Sequence, residues 1–159
     1  MTSTKVSRVI KASRKAIYRA LTDPQALATW RVPDDMTGRM HEFDPRPGGG
    51  RYRMSLTYTA PAGAPGKTTA DTDTFEGEFV ELVPDEKVVE AIVFEAEDTK
   101  FGGVMTLTTS LSDADDGTLV TMAHENLPAG VRPEDNELGT TMSLRKLAAL
   151  VEQDQAAGS

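Results

Sequence analysis

Near its C-terminus the chain carries one long stretch of helical periodicity, and nearly everything before it alternates like strand. Leu144, Leu147, Ala148 and Val151 recur at i, i+3, i+4 and i+7, one stripe of a 3.6-residue helix. Thr140 and Thr141 continue that stripe a turn upstream, while Arg145, Lys146 and Glu152 mostly take the other side. Pro133 suits a first helical position, and Glu134 and Asp135 suit the positive end of the helix dipole. The pattern predicts a helix over about residues 133–153. Gly139 inside it costs about 1 kcal/mol against Ala, and marks a kink, a close approach or a loose first turn. A lone amphipathic helix among strands has to lay its apolar stripe on a sheet.

Upstream, residues 5–12 read as a first strand, with Val6 and Ile10 on one face and Val9 out of phase. Ser13 is a good N-cap for a short helix over 14–22. Asp23 caps a second, with Pro24 at its first position and Leu27 and Trp30 three apart. Residues 32–38 carry Pro33, Asp34, Asp35 and Gly38 and read as a loop. Strands follow over 39–44, 51–58, 72–83, 87–96, 104–111 and 119–125. In the fourth, the apolar phase slips between Phe79 and Val80, which predicts a bulge or two-sided burial. A long small-residue hairpin loop is expected from Ala60 to Asp71. The order β-α-α-β-β-β-β-β-β-α, with hairpin links, is that of an α+β fold with an antiparallel sheet.

At 159 residues the whole chain, 1–159, is expected to be one domain. A domain of this size buries about 68–70% of its unfolded surface, enough for a core without staples. With 17 basic and 25 acidic residues the net charge is −8, which argues against nucleic acid or anionic membrane as partner. The absence of Cys removes disulfides, thiolate metal sites and thiol nucleophiles together. The first residues show no apolar signal region, and no run is long enough to span a bilayer, so the expected location is cytoplasmic without membrane insertion. Seven Met and nine aromatics among the Ile, Val and Leu suit a plastic interior.

No catalytic motif is complete. Gly66-Lys67-Thr68 lacks the earlier Gly of a phosphate-binding loop, because position 61 is Pro61, and a strand follows it instead of a helix. Gly48-Gly49-Gly50 suits a turn better than an anion cradle. No His/Asp/Glu set has zinc spacing and no Ser/His/Asp grouping occurs, so no metal or cofactor is expected. His124 shares a strand face with Val120 and Met122 and should point at the core or a cavity, whereas His41 alternates away from Met40. Glu42, Asp44, Arg53 and Glu76 fall on neighbouring strands, where a carboxylate beside an Arg either binds a polar group or makes surface cross-strand pairs.

Four stretches resemble a known superfamily. They are Asp23-Pro24 through Trp30; Met36-Thr37-Gly38-Arg39-Met40-His41-Glu42-Phe43-Asp44 with the glycines after it; Asp73-Thr74-Phe75-Glu76-Gly77 through Pro84; and His124-Glu125-Asn126-Leu127-Pro128 through Leu147. Together they resemble the START-like, or SRPBCC, proteins, and more narrowly the bacterial family named after the activator of the heat-shock protein 90 ATPase. The resemblance implies a helix-grip fold of Bet v type: a curved antiparallel sheet of six or seven strands around a long C-terminal helix. It also implies an apolar cavity between them. In one place the chain departs from the pattern: the resemblance expects Trp after the helix glycine, and Thr140 stands there, leaving more space or a more polar lining.

The resulting expectation is a binding module for a hydrophobic or amphipathic small molecule such as a lipid, a polyketide-like compound or an aromatic. Trp30, Tyr52, Met54, Phe75 and Phe79 are candidate lining residues from the strands and second helix. Met105, Met122, Met142 and Leu144 complete the candidate lining. His124, Arg53 and Thr141 are candidates for orienting the ligand's polar group. Two other readings stand beside it. One is an enzyme of cyclase or hydrolase type, with His124 as acid or base and Glu42 nearby. The other is a protein-interaction or stress-response module with no ligand. A sheet edge left open also makes a homodimer plausible.

Overall fold

The computed structural model describes residues 2–34, 36–46, 48–58, 72–96 and 99–157. The hairpin loop expected at 60–71, with Gly66-Lys67-Thr68 inside it, lies outside the described residues.

Strand β1 (Thr4–Ile10) leads into helices α1 (Arg14–Leu21) and α2 (Pro24–Trp30). Strands β2 (Met36–Phe43), β3 (Gly50–Tyr58), β4 (Thr72–Val83), β5 (Lys87–Phe94), β6 (Met105–Ala114) and β7 (Gly117–Glu125) follow, then α3 (Pro133–Ala157). A single 3-10 turn, Thr99–Phe101, sits between β5 and β6. The strands form one antiparallel sheet in the order β1-β7-β6-β5-β4-β3-β2. The sheet curves into a half-barrel and α3 lies in its grip, so the helix-grip expectation holds. Strands β2 to β7 meander by hairpins. The α1–α2 segment carries the chain from one sheet edge, β1, to the other, β2.

Local chemistry starts both short helices. Ser13 accepts a hydrogen bond from the Ala16 amide at 3.1 Å. The Asp23 carboxylate accepts from the Gln25 and Ala26 amides at 2.8 and 3.1 Å, with Pro24 in the first turn where no donor is lost. Trp30 is buried, and its indole N–H donates to the Ala20 carbonyl at 2.9 Å, locking α2 against α1.

Alternation sets the sheet faces. Val120, Met122 and His124 of β7 turn inward beside Met105, Leu107, Thr109 and Leu111 of β6. The expected phase slip in β4 is a register shift between Phe79 and Glu81, and it leaves Val80 exposed. The segment over 32–38 is shorter as a loop than its composition suggests. Met36, Thr37 and Gly38 already belong to β2 and pair with Tyr58, Thr57 and Leu56. Gly38 is there for space: a Cβ on it would sit 2.6 Å from a Val32 methyl and 2.7 Å from the Ala28 carbonyl oxygen. Gly48 and Gly49 make the turn, and Gly50 opens β3. The Gly48 amide donates to the Phe79 carbonyl and the Gly50 amide to that of Arg46, both at 2.9 Å, so these donors are taken.

On α3 the buried stripe is Thr140, Ser143, Leu144, Leu147, Ala148 and Val151, while Thr141 faces out. Its C-terminal half packs on β1, α1 and α2. Arg145 and Lys146 hold Asp34 in the loop after α2, and Lys146 also donates to the Val32 carbonyl at 2.5 Å. At the start of the helix the Thr4 hydroxyl donates to the Asn136 side-chain oxygen. The helix is therefore tied down at its start and near its middle, and its N-terminal half spans the concave face of the sheet.

Candidate functional site

Beneath that half of α3 lies a cavity of about 540 Å³. Its floor is the inner face of the sheet: Met36 and Leu56 from β2 and β3, Phe75 from β4, Ile92 and Phe94 from β5, Met105 from β6 and Met122 from β7. Its roof is α3 from Asp135 to Ser143, with Gly139, Thr140 and Met142 facing down. Phe101 and Val131 close one side. Arg31, Asp73 and His124 are the ionisable side chains set into the inner wall. A cleft of this size, apolar with few polar groups, suits a small organic molecule.

The floor rests on an aromatic chain. Phe75 meets Phe94 edge-on at 6.0 Å between ring centres and meets Tyr52 at 6.1 Å; Tyr52 in turn meets Phe79 at 5.4 Å. Gly77 makes this possible. It pairs with Tyr52 across the β3–β4 ladder, and a Cβ there would lie 2.1 Å from the tyrosine ring. The ring crosses over β4, and its hydroxyl donates to a Glu90 carboxylate oxygen on β5 at 2.6 Å.

The same Glu90 oxygen accepts from the Arg31 guanidinium at 2.7 Å. Arg31 also stands over the Tyr52 ring, 5.7 Å from its centre, a cation–π geometry. The ion pair is withdrawn from water, with side-chain exposures of 10% and 5%. Burial opposes the Arg31 charge, but the adjoining Glu90 and the Tyr52 hydroxyl outweigh it, and the guanidinium is held charged more firmly than usual. Burial likewise pushes the Tyr52 hydroxyl well above its ordinary value, against the pull of Arg31. A guanidinium has five N–H donors, so this one is fixed in place by Glu90 and borders the cavity with donors to spare.

His124 is 7% exposed and its Nδ1 has no hydrogen-bond partner. Burial, and then the positive charge of Arg31, lower its pKa to about 4. The imidazole is thus neutral at pH 7, with an unused polar atom in a largely apolar wall. Among the described residues no group of three or more His, Cys, Asp and Glu is placed to hold a metal ion.

Among the residues singled out from the sequence, Phe75, Met105, Met122, His124 and Met142 meet in this cavity. Trp30, Tyr52, Met54, Phe79 and Leu144 lie in the core around it and are not part of its wall. Arg53 is on the outer face of the sheet, in a two-pronged pair with Glu95 at 2.6 and 3.0 Å and between Glu42 and Glu76 in register. Glu42 is exposed beside it, so the structure does not bring Glu42 to His124. Thr141 is exposed and donates to the Glu137 carbonyl, while its neighbour Thr140 lines the cavity. His41 is exposed and shares a hydrogen bond with Ser55. Sequence reasoning passed over Arg31, Asp73 and Glu90. Glu90 had a signal, since it shares its strand phase with the buried Val88 and Ile92.

Comparison with known proteins fits this architecture. Residues 11–152 match the family model described as Activator of Hsp90 ATPase homolog 1-like protein. The chain belongs to this family. Its fold is that of the START-like superfamily, and members of the family commonly bind hydrophobic ligands. A crystal structure of a protein from Chromobacterium violaceum is 33% identical with a TM-score of 0.83, covering 94% of this chain and 96% of that one. A protein from Nitrosomonas europaea, 22% identical, has a TM-score of 0.72 over 97% and 96% of the two chains. An AHSA1-like protein from Aeromonas hydrophila, 17% identical, has a TM-score of 0.71 over 99% and 94%. The latter two likenesses concern the fold alone. No curated protein matches the chain. Among the described residues of this family member, no helix is long and apolar enough to cross a membrane.

Proposed function

We propose that this family member binds a hydrophobic or amphipathic small molecule in the cavity between the sheet and α3. The observation that carries the reading is the space of about 540 Å³, floored by aromatic and Met side chains and roofed by the first half of α3. Met105, Met122 and Met142 suit it to an apolar body, because an unbranched thioether side chain adapts its shape to what it meets. Arg31 and His124 offer the few polar contacts that would fix orientation. The reading is one of binding and assigns no reaction, because Glu42, the carboxylate expected beside His124, is on the outside of the sheet.

Native mass spectrometry of the purified protein, with analysis of its organic extract, tests this. The expected result is a one-to-one apolar adduct. For protein that emerges free, the test is titration with an environment-sensitive anilinonaphthalene dye, where saturable binding at one site is expected. Substituting Met122→Trp, which fills the floor, should abolish it. A clean mass together with dye binding that Met122→Trp leaves unchanged overturns the proposal.

A further inference from the structure

We infer that Arg31 anchors the ligand's polar end, and that the cavity takes an uncharged molecule with an apolar body and a carbonyl oxygen, as in a ketone, ester or amide, to which the guanidinium donates. The inference rests on the binding reading above and adds the chemistry of the ligand's head.

The starting point is the set of Arg31 donors that the protein leaves over. A guanidinium carries one N–H on Nε and two on each Nη. Nη1 donates to Glu90 at 2.7 Å, while Nε and Nη2 have no hydrogen-bond partner among the described residues. These nitrogens are not sealed off. Among the described residues, the one side-chain polar atom that is both fully buried and unpartnered belongs to His124, so Nε and Nη2 keep accessible surface. The open space that Arg31 borders is the cavity, and its chain neighbours Trp30 and Val32 are 1% and 3% exposed. The fork is also held still. Glu90 fixes one corner of it and the Tyr52 ring, 5.7 Å away, lies along its face, so its geometry is set before a ligand arrives.

Charge balance decides which acceptor suits these donors. Arg31 and Glu90 already neutralise each other in a pair withdrawn from water. A carboxylate or phosphate head would bring a second anion to one cation, and would lose its own hydration in doing so. The other ionisable residues on the wall do not offset that charge. His124 is neutral at pH 7, Arg132 is exposed and pairs with Glu134, and Asp73 and Asp135 are acidic residues. A carbonyl oxygen costs far less to desolvate, and its two lone pairs can take two N–H groups side by side. An alcohol also accepts from Arg31, but it buries a proton that needs an acceptor of its own. Hydrogen bonds from a charged donor are worth more than neutral ones, and a site built to make one rejects an analogue that lacks the oxygen.

Four probes with one naphthalene body separate the possibilities at pH 7.4: 2-acetylnaphthalene, its near-isostere 2-ethylnaphthalene, 2-naphthol and 2-naphthoate. Each is titrated against the full chain loaded with the neutral dye N-phenyl-1-naphthylamine, and displacement is read by fluorescence. The expected result is 2-acetylnaphthalene binding tightest, at least tenfold tighter than 2-ethylnaphthalene, with 2-naphthoate weakest. The double variant Arg31→Met, Glu90→Gln removes both charges together and leaves the Tyr52 hydroxyl an acceptor; Glu90 is not part of the cavity wall. It should bring 2-acetylnaphthalene down to the affinity of 2-ethylnaphthalene. Isotope-edited infrared spectra read the contact in the unaltered protein, whatever the variant's stability. The carbonyl stretch of bound 2-acetylnaphthalene should lie at or below its frequency in water. A stretch at its hydrocarbon-solvent frequency, equal affinities for the acetyl and ethyl compounds, or tightest binding by 2-naphthol or 2-naphthoate overturns this inference and leaves the cavity reading standing. Dye that binds but yields to none of the four probes does the same. Failure of the dye and all four probes to bind overturns both.

Discussion

His124 makes stability depend on pH. Its pKa falls from 6.5 to about 4 on folding, because the charged imidazole is disfavoured by burial and by Arg31. Between those values the unfolded chain holds a proton that the folded chain lacks. Stability therefore falls as the pH drops through this window and levels off below about 4. The size is about 3 kcal/mol, at 1.36 kcal/mol for each unit. Urea denaturation at a series of pH values should show this slope, and His124→Asn should flatten it. The neighbouring ion pair gives a second test. Glu90→Ala leaves Arg31 charged and unpaired in the interior, and should cost about 3–5 kcal/mol. Adding Arg31→Met to that variant should recover much of the loss, as the charge that needed a partner is gone. These two residues also mark how far single-residue reading of the sequence reaches. His124 was legible as inward-facing because Val120 and Met122 share its phase. Glu90 was legible in the same way from Val88 and Ile92. Arg31 was not, since it follows the last turn of α2 and belongs to no periodic face; only the passage from α2 to β2 sets it against β5.

At the scale of elements, two glycines in similar-looking positions have opposite roles. Gly77 in β4 gives the Tyr52 ring the room to cross toward Glu90. Gly77→Ala should therefore destabilise the protein strongly, displacing the ring and breaking its hydrogen bond, with a clear loss of denaturation midpoint. Gly139 in α3 has nothing within 4 Å of where a Cβ would be. It lies at neither a close approach nor a positive φ among the described residues, and the helix runs through it. Gly139→Ala should stabilise by up to about 1 kcal/mol, a rise in melting temperature of about 2–4 °C for a chain of this size. Periodicity found the long helix, both caps and the slip in β4, because each is a local pattern. It missed the start of β2, where Gly38 looks like a breaker but answers a long-range need for space against α2. It also could not separate Thr140 from Thr141, which are adjacent on the edge of the α3 stripe. The packed structure buries the first and exposes the second.

For the molecule as a whole, the cavity lies beneath the first half of α3, a stretch held to Thr4 at its start and to Asp34 near the middle of the helix. Thr140, standing where the family resemblance expects Trp, lines this space. The order of elements was enough to read the grip, since one amphipathic helix had only one sheet to cover. The interior shape was not readable, because it depends on which side chains along a face stop short of the helix. Thr140→Trp turns this into a test of the whole arrangement. The Thr140 hydroxyl donates only to the Asn136 carbonyl one turn back, a bond that contributes little to a helix. Its loss is offset by apolar area newly buried under α3. The variant should thus fold with stability equal to or above that of the parent, and its thermal midpoint should not fall. Its affinity for the anilinonaphthalene dye should drop at least tenfold, because the indole takes the volume the dye's aromatic body needs. A variant that keeps full affinity would mean that ligand sits elsewhere than beneath α3. One that loses both affinity and stability would mean that the roof moves before the cavity fills.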